Sequence, residues 1–270
     1  MSKLVWDGQG EKKFEAGVDH AVLYPVSSGN YPKGVAWNGI TSISESPEGG
    51  DAQDFYADNI KYGSLRGAEN FNGTIECYTY PEEWKACDGR KELVTGVTIA
   101  QQNRQAFGLS YRTLIGNDTE GLDLGYILHL IYNATASPSQ KSRSTINESP
   151  EAGTMSYEFK TTPVGVSVIQ NAKATSHIEI DSTKVSSTAM AAIERVLYGT
   201  DAGNEYVAVT PVGTENPTTE GWYELVEGTY TLSSDTTVDS EKTYYEKIST
   251  TAADPRMPLP DEVYSIIANA

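Results

Sequence analysis

The chain has 270 residues and a net charge of −17, from 37 acidic and 20 basic residues. This balance argues against tight nucleic-acid binding, which needs Lys and Arg to displace counterions from phosphates. An acidic wall would instead repel DNA and let it pass without sticking; ordinary solubility is the alternative explanation. Two cysteines are too few for a disulfide framework, so we expect Cys77 and Cys87 to be free thiols.

The remaining composition favours β structure. Tyr (17) and Gly (24) are plentiful, and these suit half-exposed pleated surfaces and the turns between them. The N-terminal segment lacks an apolar signal region and no apolar run reaches membrane length. We therefore expect a chain made and kept in the cytosol, without membrane insertion.

The first half of the chain alternates strand-like runs with turn residues. We predict strands at 19–26, 35–44, 55–65 and 71–80, and an acidic loop at 45–54 that holds Pro47 and the Gly49–Gly50 pair. In the last strand, one face is made of Phe71, Gly73, Ile75 and Cys77. Pro81 predicts a helical turn directly after it.

The second half continues this pattern and adds a helix. We predict a strand pair at 106–115 and 125–134 joined by a turn at 116–121, a polar loop at 137–150, and strands at 154–162 and 176–181. A helix at 186–198 opens with serines suited to N-capping and ends at Gly199. Its apolar face consists of Met190, Ile193, Val196 and Leu197.

Residues 200–253 differ in character. They hold ten acidic and two basic residues, and their Tyr-rich runs predict a small β unit inserted between a main domain, 1–199, and a C-terminal tail, 254–270. The aromatic residues of this unit either fill its small core or stack on sugar rings at an outer surface; they are Trp222, Tyr223, Tyr230, Tyr244 and Tyr245.

Reactive residues do not group into a catalytic motif in the sequence. The three histidines lie in separate strand-like runs without metal-ligand spacing, so we expect each to be a packed or surface histidine. Adjacent acids such as Glu82 and Glu83 point apart in regular structure. The run 108–111 lacks the second glycine of a nucleophile elbow. We therefore predict that the chain is not an enzyme and uses no metal or cofactor.

Several stretches, in order along the chain, resemble the major tail protein (tail tube protein) of long-tailed, siphovirus-type phages that infect Gram-positive bacteria. They are residues 37–41, 56–62, 74–81, 107–113, 146–152, 180–183 and 259–263. The resemblance covers about 1–199 and 254–270. The insert departs from it and is similar to small Tyr-rich repeats of other phage structural proteins.

This resemblance implies a β-sandwich or barrel subunit with a flanking helix. Six subunits would close into a ring, and rings would stack into a hollow tube in the phage tail, assembled in the host cytoplasm with tape-measure, tail-tip and tail-terminator proteins as partners. Ring closure would also satisfy open strand edges. DNA would pass through the lumen during ejection without specific binding.

On this interpretation, the 45–54 loop and its flanking strands form an arm that reaches a neighbouring subunit; the alternative is a solvated loop. The arm residues are Trp37, Ile43, Glu45, Pro47, Gly49, Gly50, Asp54, Tyr56, Ile60 and Tyr62. The candidate lumen-facing acids are Glu76, Glu158, Glu179 and Asp181. The other function considered is a virion-surface glycan-binding or decoration module that uses the Tyr-rich insert.

Overall fold

The computed structural model describes residues 6, 8–49, 52–65, 69–139, 141, 143, 145, 152–211 and 215–270. Strands make up 47% of the chain and helices 12%, which confirms the prediction of a mainly β protein. The predicted loop at 137–150 and the resembling stretch 146–152 lie largely outside the described residues.

The strands in chain order are β1 (Phe14–Pro25), β2 (Val35–Ala36), β3 (Ile40–Glu48), β4 (Gln53–Ala57), β5 (Ile60–Leu65), β6 (Asn70–Cys77), β7 (Lys91–Val94), β8 (Val97–Ile99), β9 (Phe107–Asn117), β10 (Gly121–Ala136), β11 (Met155–Thr161), β12 (His177–Asp181), β13 (Gly203–Val209), β14 (Tyr223–Val226), β15 (Thr229–Leu232) and β16 (Tyr244–Thr250). The helices are α1 (Trp84–Cys87), α2 (Ser187–Tyr198), α3 (Pro217–Glu220) and α4 (Pro260–Ala268).

The main sheet is antiparallel, with the strand order β2-β1-β9-β10-β11-β6-β3 and with β12 beside β10. The strand pair predicted in the second half is β9 and β10. Its turn forms because the Asn117 side chain accepts hydrogen bonds from the backbone N–H groups of Thr119 and Glu120, at 3.1 and 2.6 Å. Gly121 then supplies a positive φ of 66°.

Strand β10 has two partners along one edge because it contains a bulge. Residues 127–131 pair with β12, whereas 134–136 pair with β11. Between these segments Asn133 has a φ of 47°, and the register with β9 shifts there. Such a bulge bends the strand and increases its twist. The sheet accordingly curls, and β1 and β3, near opposite ends of the strand order, come into contact.

The curled sheet encloses a core rich in aromatic residues, which we call the inner core. Trp84, carried by α1, is fully buried there. Its ring centre lies 4.6 Å from that of Trp37, 4.9 Å from that of Phe107 and 5.1 Å from that of Tyr157. Ile75 and Cys77 of β6 also lie in this core, and Phe71 packs against it. Gly73, between Phe71 and Ile75 on the same face, is buried as well. This confirms the face predicted for the strand.

The opposite face of β1, β9, β10 and β12 packs against α2 and α4 and forms an outer core. Helix α2 confirms the predicted helix. Its cap residue Ser186 accepts a hydrogen bond from the Ala189 N–H at 3.2 Å, and Gly199 follows the last turn with a φ of 78°. The buried face consists of Ala189, Met190, Ile193 and Leu197, whereas the predicted Val196 is only half-buried. The Tyr24 hydroxyl donates to the Leu197 carbonyl at 2.8 Å and thereby links sheet and helix.

Residues 203–250 form a separate sheet with the order β13-β16-β14-β15. The chain enters and leaves this unit at adjacent positions, because the backbones of Thr200 and Ala253 exchange hydrogen bonds of 2.9 Å in each direction. The Ser187 hydroxyl also donates to the Ala208 carbonyl at 3.1 Å, so the unit touches the start of α2.

Several local predictions are corrected. The predicted loop 45–54 is strand through Glu48, since β3 stays paired with β6 up to that residue. The predicted strand 55–65 lies in a hairpin of two strands, because Asp58 and Asn59 both have positive φ and reverse the chain. The β7–β8 hairpin, β13 and α4 were not predicted.

Candidate assembly surfaces

The β4–β5 hairpin is a two-stranded ribbon that extends from β3 and β6. Its turn residues Asp58 and Asn59 have φ values of 52° and 61°, the conformation that tight hairpins prefer. Gly63 lies opposite Phe55, and a Cβ there would come within 2.5 Å of the Phe55 ring. Lys61 Nζ lies 2.7 Å from the Asp54 carboxylate across the strands. The hairpin is therefore defined locally.

The side chains of this hairpin are mostly apolar and exposed. Residues 53–57 and 60–65 are all exposed except the half-buried Gly63. The large apolar ones are 42% to 70% exposed, and they are Phe55, Tyr56, Ile60, Tyr62 and Leu65. Both strands pair only with each other among the described strands. A two-stranded hairpin is at best marginally stable alone in water, and a contiguous set of exposed apolar side chains is typical of a contact surface.

The predicted arm residues fall into three places. Trp37 is 3% exposed and its indole N–H donates to the Thr79 carbonyl at 2.8 Å, so it belongs to the inner core and not to an arm. Ile43 packs against the same core. Glu45 and Pro47 lie in β3, and Gly49 follows that strand, whereas Gly50 lies outside the described residues.

Only the last four predicted arm residues lie in the exposed hairpin; they are Asp54, Tyr56, Ile60 and Tyr62. The exposed segment in this region is thus the hairpin 53–65 and not the predicted loop 45–54. A second apolar hairpin, β7–β8, is also exposed along its whole length, with Leu93 66% and Val94 61% exposed.

The four candidate lumen acids lie on two different faces. Glu76 and Glu158 alternate with inner-core residues, so they point away from that core. The Ser42 hydroxyl donates to Glu76 at 3.0 Å on this outward face. Glu179 and Asp181 alternate with outer-core residues of β12, so they lie on the inner-core side of the sheet.

Asp181 has a local structural role. Partial burial alone would raise its pKa, but hydrogen bonds from Lys184 and from the Thr183 hydroxyl and N–H lower the pKa to about 2. These contacts close the turn between β12 and α2.

The aromatic residues of the insert also divide between two faces. Trp222 and Tyr244 are buried in its small core, which is the first of the two expected roles. Tyr223, Tyr230 and Tyr245 are half-exposed on the other face. There Tyr206 lies between two of them, with its ring centre 4.0 Å from that of Tyr230 and 5.1 Å from that of Tyr223, and Tyr245 packs on Tyr230 at 5.0 Å. The sequence did not predict Tyr206, because β13 was not predicted.

Two of the three histidines meet, although they lie in separate strand-like runs of the sequence. His129 on β10 and His177 on β12 lie beside Glu45 of β3, whereas His20 is exposed on β1. Spacing along the chain could not reveal this group because its members lie on three strands brought together by the curl of the sheet.

The two cysteines are free and buried, which confirms that prediction. Burial raises the pKa of Cys77 to about 11 and that of Cys87 to about 12, so both thiols are protonated and poorly nucleophilic at neutral pH.

Comparison with known proteins adds no identification: no protein-family model matches this chain, and no curated protein matches it. Among the described residues, no helix combines the length and the apolar character needed to cross a membrane.

Proposed function

We propose that this chain is a structural subunit that polymerises into the hollow tail tube of a long-tailed phage. The observation that carries the proposal is the β4–β5 hairpin, which exposes five large apolar side chains on a ribbon without a partner strand in the described chain. An enzyme or a simple monomeric binding domain has no need of such a ribbon, whereas an assembling subunit uses it to reach a neighbour.

The partner proposed for the hairpin is a second copy of the chain. The contact is heterologous, since the hairpin of one subunit meets a different surface of the next, and such contacts close into rings or extend into filaments. We take the edge of β3 that is not paired with β6 and the exposed β7–β8 hairpin as candidate surfaces for this contact. By resemblance, the rings are hexameric and stack with tape-measure, tail-tip and terminator proteins as partners in the virion.

The lumen is assigned to the outward face of β3, β6 and β11. This face is polar and accessible, with Ser42, Thr74 and Ser156 half-buried and Glu76 and Glu158 exposed. Its acids and the net charge of −17 would repel DNA and let it slide. Glu179 and Asp181 are left out because they lie on the opposite side of the sheet.

Negative-stain microscopy of the purified full-length chain tests the polymer directly. Hollow tubes or stacked rings are expected, either after concentration of the purified chain alone or after addition of a tail-tip initiator. Dispersed globules under both conditions would refute the proposal.

Charge reversal tests the lumen separately. Virions carrying Glu76→Lys and Glu158→Lys are expected to assemble tubes that eject DNA slowly, because a basic bore binds phosphates. Virions with Glu220→Lys and Glu227→Lys, two exposed acids of the insert, serve as controls with the same change in charge. Normal ejection from the first variant would exclude this face as the lumen.

A second candidate function rests on the insert. Its half-exposed tyrosines, with Tyr206 at the centre, form an aromatic face on which sugar rings could stack. Saturable binding of the chain to bacterial cell-wall glycans, lost in Tyr206→Ala together with Tyr230→Ala, would support a virion-surface binding module. Tube formation by the same variant would show that the two functions are separate.

A further inference from the structure

The group formed by His129, His177 and Glu45 has the geometry of a metal site. His129 Nδ1 lies 3.2 Å from His177 Nε2, and Glu45 Oε1 lies 3.6 Å from the first nitrogen and 3.7 Å from the second. A point in the plane of these three atoms lies about 2.0 Å from each, close to the zinc–nitrogen and zinc–oxygen bond lengths of about 2.0–2.2 Å. The three donors thus surround a space of the size of a bound ion.

Hydrogen bonds around the group fix which nitrogen of His129 faces this space. The Thr113 hydroxyl donates its proton to Glu15, so at 2.9 Å from His129 Nε2 it can only accept. His129 Nε2 therefore carries the proton, and in the neutral ring Nδ1 presents its lone pair to His177 and Glu45.

The second histidine and the carboxylate also point toward this space. His177 Nε2 faces His129 and Glu45, and the other ring nitrogen, Nδ1, lies 4.0 Å from Glu179 Oε1. The Tyr111 hydroxyl donates to Glu45 Oε1 and holds that carboxylate in place. An outer carboxylate or hydroxyl behind each ligand is the usual support of histidine metal sites.

The charge at the group also calls for a cation. The acidic groups that face it are Glu15 of β1, Glu45 of β3 and Glu179 of β12. Two imidazole nitrogens and a carboxylate oxygen converge within 3.7 Å of one another. A positive species between these three atoms would be attracted by all of them and by the neighbouring carboxylates.

We propose that His129 Nδ1, His177 Nε2 and Glu45 Oε1 bind one divalent transition-metal ion, with zinc as the best match to two imidazoles and a carboxylate. Imidazole and carboxylate together suit zinc and its neighbours in the first transition series. Glu45 is 29% exposed and provides the route of entry, whereas His129 is 6% exposed. Water would complete the coordination on the exposed side.

The ion would tie β3 to β10 and β12. Glu45 lies on β3, just before the chain leaves the sheet for the β4–β5 hairpin, and β3 pairs only with β6 among the described strands. A metal bond at Glu45 therefore fastens the base of the hairpin to the opposite side of the curled sheet. This inference does not depend on whether the chain polymerises.

Zinc titration of the full-length chain tests the site. The protein is treated with a chelator, dialysed, and titrated with zinc chloride in a calorimeter, with circular dichroism to verify folding. We expect one zinc ion per chain and a thermal midpoint that rises with zinc concentration, since a ligand that binds only the folded state stabilises it. The absence of saturable binding would overturn the proposal and leave a shared proton as the species between the rings.

Three variants locate the ion. His177→Ala is expected to weaken zinc binding at least 100-fold, whereas His20→Ala, which removes an exposed histidine, should leave it unchanged. Thr113→Val keeps the shape of the side chain but removes the acceptor for His129, and should weaken binding about tenfold. Should His177→Ala fail to fold, Glu45→Gln replaces it as the ligand variant. Equal weakening by His20→Ala would place the ion elsewhere and refute the site.

Discussion

The exposed β4–β5 hairpin allows assembly to be separated from folding. We consider replacement of Ile60 and Tyr62 by serine. These residues are 65% and 70% exposed in the single chain, so they contribute little to its folded core. The free energy of unfolding of the unassembled subunit should therefore change by less than about 0.5 kcal/mol.

The cost to assembly is much larger. Burying a large apolar side chain contributes about 1.5–3 kcal/mol, and about two thirds of each side chain remains to be buried here, which gives roughly 1–2 kcal/mol apiece. Loss of both side chains removes roughly 2–4 kcal/mol per subunit contact. Since each 1.4 kcal/mol is a factor of ten, the contact should weaken about 30- to 700-fold.

The assay is the protein concentration at which polymer first appears, measured by light scattering and sedimentation and checked by microscopy. Leu225→Ser with Leu232→Ser provides the matched control, because these insert residues are 48% and 58% exposed but lie outside the proposed contact. Unchanged assembly by the hairpin variant, or an equal loss in the control, would refute the role of the hairpin. A matching loss of subunit stability would show that the hairpin is needed for folding instead.

Three further predictions concern the fold. Trp84→Ala should lower the free energy of unfolding by about 3–5 kcal/mol in urea titrations, because it empties the centre of the inner core. Trp84→Phe should cost less, since the buried indole N–H that it removes has no hydrogen-bond partner. Equal losses of stability in the two variants would contradict this. Deletion of 202–252 should leave the main sheet and tube formation intact because Thr200 and Ala253 are already paired; loss of either, by circular dichroism or microscopy, would show that the insert is structural. The pKa of Asp181 is lowered to about 2 in the folded chain, against about 4 in the unfolded chain, so the ionised carboxylate stabilises the fold. This stabilisation is complete above about pH 4 and is lost as the pH falls toward 2. In acid titrations Asp181→Asn should lack that component, and identical acid profiles would refute it.

Local patterns were sufficient for the elements that depend on neighbouring residues. Helix α2 followed from its serine cap, its apolar face and Gly199, and the β9–β10 pair followed from turn residues between two strand-like runs. The inward face of β6 followed from simple alternation. In each case the physical cause lies within a few residues along the chain.

Local patterns were misleading where a turn was hidden within an extended run. Asp58 and Asn59 split the predicted strand 55–65 and place the arm in a hairpin, while Pro47, taken as a sign of a loop, is tolerated because β3 is an edge strand. Helix α4 was not predicted, although the tail carries local signals for it: Pro260 at the first turn, the acidic Asp261 and Glu262 beside it, and an apolar face of Val263, Ile266 and Ile267.

By itself, the sequence determined the β class, the acidic character, the free thiols and the helix, because composition and short-range periodicity control these properties. Only the tertiary structure decided which acids share a face, which aromatic residues of the insert are buried, and that His129, His177 and Glu45 meet. These depend on the bulge in β10 and the curl of the sheet, which bring together strands more than 40 residues apart in the chain. Distance along the sequence carries no information about such contacts.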